Sequence, residues 1–115
     1  MIGALVIAVS LAAAPAPARV QVTATEYALT LSRPAVKAGP AIVELVNFGE
    51  DVHDLRVQQI VKKGVKQPKP FGVPALEPHE VDDVERKLVV ASYRLWCSLG
   101  DHASRGMRAT LKVTK

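Results

Sequence analysis

Apolar and polar residues alternate in short runs along most of this chain, and the runs break at glycine, proline and acidic residues. Val20-Gln21-Val22-Thr23-Ala24 has the period of two expected of a strand with one buried face. Tyr27, Leu29 and Leu31 continue the alternation in the opposite phase, which predicts a bulge near Thr25-Glu26. Arg33-Pro34 ends that strand, and Ala38-Gly39-Pro40 predicts a turn. Ala41 to Phe48 reads as the next strand, Gly49-Glu50-Asp51 as a turn, and Val52 to Val57 as a strand with His53, Leu55 and Val57 on one face. Near the C-terminus, Tyr93, Leu95 and Cys97 share a face, as do Met107, Ala109, Leu111 and Val113. Short strands separated by turns, with no sustained helical period, predict an all-β fold, a Greek-key β-sandwich.

Residues 62–80 depart from this pattern. Lys62, Lys63, Lys66 and Lys69 alternate with Pro68, Pro70, Pro74 and Pro78, and no central strand tolerates such prolines. The stretch reads as a long ordered loop or an edge excursion. His79 sits at a Pro-His turn within it and reads as an exposed loop residue rather than a ligand. The acidic group at Glu77, Glu80, Asp82, Asp83 and Glu85 reads as solvated surface, like the lysines.

Composition changes the picture at the N-terminus. The near-continuous apolar run from Ile2 to Ala14 is shorter than the ~20 residues that span a bilayer. Ala16-Pro17-Ala18 then offers the small residues of a cleavage site. The expected organisation is a signal peptide over residues 1–18 and one domain over residues 19–115. An uncleaved leader is the only membrane attachment the sequence offers. The domain is expected outside the cytoplasm: secreted, periplasmic or at the cell surface. All charged residues follow residue 18, so the domain keeps the formal net charge of +4. Aromatic residues are only 4% of the chain and no basic run is interleaved with them, which argues against nucleic acid as a partner.

Candidate chemistry concentrates in Cys97-Ser98-Leu99-Gly100-Asp101-His102-Ala103-Ser104-Arg105-Gly106-Met107. This stretch holds the only cysteine and the only methionine besides Met1. A thiolate, an imidazole and a thioether form a soft donor set, suited to copper and poorly suited to Mg²⁺ or Ca²⁺. One more nitrogen completes a trigonal His₂Cys set with a weak axial Met, and His53 is the obvious donor. A single cysteine rules out an intramolecular disulfide, a CxxC redox pair and a two-cysteine dinuclear copper site. In an oxidising compartment such a thiol is protected when a metal holds it inside the fold.

The spacing Cys-x₄-His-x₄-Met, with Gly106 directly before the Met, resembles the last ligand loop of the cupredoxin (blue copper) family. Asn47-Phe48-Gly49-Glu50-Asp51-Val52-His53 resembles that family's N-x-G-x-x-x-H stretch, which supplies the first histidine ligand. The resemblance runs from about Val20 to the C-terminus. It implies one type 1 copper per chain, held by His53, Cys97, His102 and Met107. One departure is Asp54, where many family members carry Asn: an ionised Asp accepts hydrogen bonds from the Cys loop but cannot donate.

The implied function is electron transfer outside the cytoplasm, by a monomer that meets redox partner proteins near His102. Trp96, beside the ligand cysteine but on the other face, is a second candidate exit, but reads rather as an ordinary packing residue. The alternative is extracytoplasmic copper binding or delivery, against which a Cys seated in the fold argues. An enzyme such as a copper nitrite reductase needs a second copper with its own histidines, and only His79 is left over. The expectation is therefore no enzymatic activity.

Overall fold

The computed structural model describes residues 2–9 and 16–115. Its regular elements among these residues are all strands: β1 (Ala18–Thr25), β2 (Ala28–Leu31), β3 (Ala35–Lys37), β4 (Gly39–Asn47), β5 (His53–Gln59), β6 (Phe71–Leu76), β7 (Val81–Leu88), β8 (Ala91–Trp96) and β9 (Arg108–Thr114). They form a four-stranded sheet in the order β2-β1-β4-β7 and a five-stranded sheet in the order β3-β9-β8-β5-β6. The chain passes repeatedly between the sheets, as the predicted Greek-key sandwich requires. Residues 2–9 are exposed and without regular structure, and residues 10–15 of the expected leader lie outside the described residues. No helix among the described residues is long and apolar enough to cross a membrane.

Alternation generates the core. Val20, Val22, Val43 and Leu45 project inward from the first sheet, and Leu55, Val57, Leu95, Leu111 and Val113 from the second, all nearly or completely buried. Each such side chain contributes about 1.5–3 kcal/mol of hydrophobic stabilisation. The phase change after Ala24 is a hairpin rather than a bulge. β1 closes on β2 through Glu26-Tyr27, with Thr25 paired to Ala28, and reversing the chain switches the phase without an extra residue.

Of the two readings of residues 62–80, the edge alternative describes their second half, where β6 forms. β6 lies at the edge of its sheet, paired only with β5, and its Pro74 is exposed. An edge strand has one side free of pairing, where a missing N–H costs nothing. β7 is the surprise. Its apolar residues Val81, Val84 and Leu88 follow no period of two, yet it pairs with β4 from Val81 to Leu88. Asp82, Asp83 and Glu85 stay exposed on this edge strand, where charge discourages pairing with another chain.

The topology gathers the site. β5, β8 and β9 are antiparallel neighbours, so the start of β5, the end of β8 and the start of β9 share one end of the sheet. Those positions carry His53, Cys97 and Met107. β1 and β4 run parallel, which brings the β1–β2 turn and the 48–52 turn to the same end.

Candidate metal centre

The loop from Cys97 to Met107 is a succession of tight turns closed by backbone hydrogen bonds. Among them, the His102 N–H donates to the Leu99 carbonyl at 3.1 Å and the Met107 N–H to the His102 carbonyl at 3.1 Å. The Cys97 N–H donates to the Met107 carbonyl at 3.2 Å, so the two ends of the loop continue the β8–β9 ladder. Gly106 is required twice over. Its φ is +126°, and a Cβ there would lie 2.8 Å from the Tyr27 carbonyl oxygen.

Three donors converge at the top of this loop. The ligand atoms of His53, Cys97 and His102 all lie within 4.8 Å of one another. The two Nδ1 atoms are 3.2 Å apart, and Cys97 Sγ is 3.9 Å from His53 Nδ1 and 3.6 Å from His102 Nδ1. Bonds of about 2.0–2.1 Å to nitrogen and about 2.3 Å to sulfur, set in one plane, separate the nitrogens by about 3.5 Å and nitrogen from sulfur by about 3.8 Å. The triangle therefore fits one transition-metal ion. Met107 is fully buried beside Cys97. His79 is exposed at φ +71° and is not part of the cluster, in line with its reading as a loop residue. Trp96 is half-buried on the outer face of its sheet, opposite Cys97, where it lines an open groove with Arg94 and Arg108.

Burial is graded across the donors. His53 and Cys97 have no exposure, while the His102 side chain is 15% exposed. The imidazole of His102 thus links the buried cluster to the surface. Tyr27 packs against it with ring centroids 5.4 Å apart, and Arg105 covers Tyr27 at 4.7 Å. Arg105 in turn pairs with Asp101 at 2.8 Å. Burial pushes the Cys97 thiol up, partly offset by the backbone N–H groups of Leu99 and Asp54.

Supporting residues fix these donors. Asn47 is fully buried; its amide donates to the Asp51 carbonyl at 2.8 Å and the Leu76 carbonyl at 2.9 Å, and its oxygen accepts from the Gly49 N–H at 2.8 Å. It thereby shapes the turn that delivers His53. Asp54 accepts from the Ser98 N–H at 2.6 Å and from the Ser98 hydroxyl. It acts as an acceptor in both contacts and clamps β5 to the Cys loop. Among the described residues no buried polar side-chain atom lacks a partner.

The sequence does not announce Glu26. Its Oε1 accepts from His53 Nε2 at 2.7 Å and from the backbone N–H groups of Asp51 at 2.8 Å and Glu50 at 2.9 Å. The Asp51 N–H above all, with help from Glu50 and His53 and against the effect of burial, holds this carboxyl down at about 2. In the sequence Glu26 marks only the expected bulge, and nothing links it to a histidine 27 positions away. Gly49 faces this contact: a Cβ there would overlap Glu26 Oε1 and lie 2.8 Å from His53 Nε2.

The fold is that of the cupredoxins. No protein-family model matches the chain, and no curated protein does. Solved structures do. Reduced auracyanin from Roseiflexus castenholzii superposes with a TM-score of 0.67 at 12% identity, over 88% of this chain and 100% of that one. Auracyanin A, a "blue" copper protein from Chloroflexus aurantiacus, gives 0.62 at 12% identity, over 86% and 100%. The blue copper oxidase from Nitrosomonas europaea gives 0.62 at 16%, over 86% of this chain but 39% of the oxidase. At these identities the likeness establishes the fold.

Proposed function

We propose that this chain is a type 1 (blue) copper protein that carries single electrons outside the cytoplasm. The observation that carries the reading is the convergence of one thiol and two imidazole nitrogens within 4.8 Å at one end of a cupredoxin sandwich. Met107, buried next to Cys97, supplies the weak fourth donor. Bound copper supplies a one-electron couple, Cu(II)/Cu(I), in which no substrate bond is made or broken.

The protein's part is to hold the donors still and keep water out. Cys97 and His53 start from strand ends, and Asn47 and Asp54 fasten the surrounding turns, so the ligand triangle is set by the fold rather than by the metal. Such a frame changes little between oxidation states. Electrons leave by the exposed edge of His102, where redox partner proteins dock. Complete burial of Cys97 and His53 opposes ready metal exchange, which favours a carrier over a delivery protein. The larger oxidase resembles this chain over only 39% of its own length, and His79 stands outside the cluster, so a non-enzymatic role is the simpler reading. Export over the leader at residues 1–18, and a monomeric state, complete the proposal.

Repeated reduction and reoxidation of the copper-loaded protein by voltammetry tests it. A carrier cycles reversibly with its copper retained. Loss of copper to a mild Cu(I) chelator on first reduction would turn the reading to delivery.

A further inference from the structure

We propose that Glu26 is the anionic partner of His53, orienting its imidazole toward the metal and lowering the reduction potential of the site. The inference rests on the copper reading above and adds to it a specific residue and a direction.

Geometry carries the argument. His53 is completely buried, and its outer nitrogen donates to Glu26 Oε1 at 2.7 Å. That bond places the ring proton on Nε2 and leaves Nδ1, which faces His102 and Cys97, as a free lone pair. A carboxylate behind a metal-binding imidazole fixes its tautomer and raises its basicity. Glu26 cannot swing away easily, because the same oxygen also accepts from the backbone N–H groups of Glu50 and Asp51. Gly49 keeps the space open, since any larger residue would put a carbon into this contact. Contact and clearance come from two separate stretches of chain and point to one arrangement.

The direction follows from charge. When one electron enters, the metal goes from +2 to +1 and no bond to Glu26 forms or breaks. A fixed negative charge one imidazole away stabilises +2 more than +1, and a more basic imidazole does the same. Both effects oppose reduction and make the reduced chain a better electron donor. Asp51 provides an internal comparison: its carboxylate is 4.0 Å from His102 Nε2 and its side chain is 51% exposed, against 25% for Glu26, so solvent screens it more strongly.

Glu26→Gln tests this, because the amide oxygen still accepts from the same N–H groups while the charge is gone. The copper-loaded variant should stay blue and shift the one-electron equilibrium at least tenfold toward the reduced form, ~59 mV upward. Asp51→Asn should move it less. In the reduced, diamagnetic protein the His53 Nε2–H proton resonance should move upfield in Glu26→Gln. If Glu26→Gln does not fold, Glu26→Asp replaces it; retracting the carboxylate should move the same resonance upfield and raise the potential by a smaller amount. A blue parent whose potential and N–H resonance are unchanged by these substitutions would make Glu26 a loop fastener only. A parent that takes up no copper would overturn the functional reading along with this one.

Discussion

Met107 and Glu26 differ in how much of their role the sequence carries. Met107 stands out as the only internal methionine, five positions from His102. A long thioether bond donates weakly and tunes potential more than it holds metal. Met107→Leu nearly conserves volume and should cost under ~1.5 kcal/mol of stability. Copper and colour should remain while the potential rises, because Cu(II) loses more than Cu(I) when the donor goes. Met107→Gln, with a harder oxygen, should lower it; voltammetry of both variants reads the signs. An unchanged potential in both would make Met107 core filler and the site three-coordinate. Glu26 is invisible by comparison because its contact depends on a tertiary approach between two turns, which no local spacing encodes.

At the level of elements, the ligand loop and the 47–53 turn were legible because their chemistry is local. Cys97, His102 and Met107 lie on one loop, and strand alternation alone points Cys97 and Met107 inward. β7, and β6 as a regular strand rather than an edge excursion, were not legible, for physical reasons. Pro74 is tolerated because β6 is an edge and its register with β5 shifts at that point, and the irregular apolar spacing of β7 is overridden by its pairing with β4. The turn before His53 depends on Asn47. Asn47→Ala leaves the Asp51 and Leu76 carbonyls and the Gly49 N–H short of a partner, and each buried loss costs about 1–3 kcal/mol. Denaturant unfolding should show a loss of at least ~2 kcal/mol, with copper bound more weakly because His53 is no longer held. Gly106→Ala should likewise destabilise the chain by about 1–3 kcal/mol, since it places a side chain at φ +126° against the Tyr27 carbonyl.

For the molecule as a whole, the sandwich and the metal end are separable. Leu45 is fully buried in the core between the sheets. Leu45→Ala should cost about 2–5 kcal/mol by denaturant unfolding, while the spectrum of the copper-loaded folded protein stays that of the parent. A changed spectrum would mean that the site depends on the whole core rather than on its own turns. Fold class was readable at this scale because alternation is a global pattern, and one end of the sheet collects the candidate donors by topology alone.

The most direct measurement is a Cu(II) titration of residues 19–115 followed by visible absorption, run beside Cys97→Ser. The parent should take up one copper per chain and develop an intense thiolate-to-copper charge-transfer band, and the serine variant should lack that band. Uptake without the band, or a band that survives Cys97→Ser, would contradict a thiolate-bound copper at this centre.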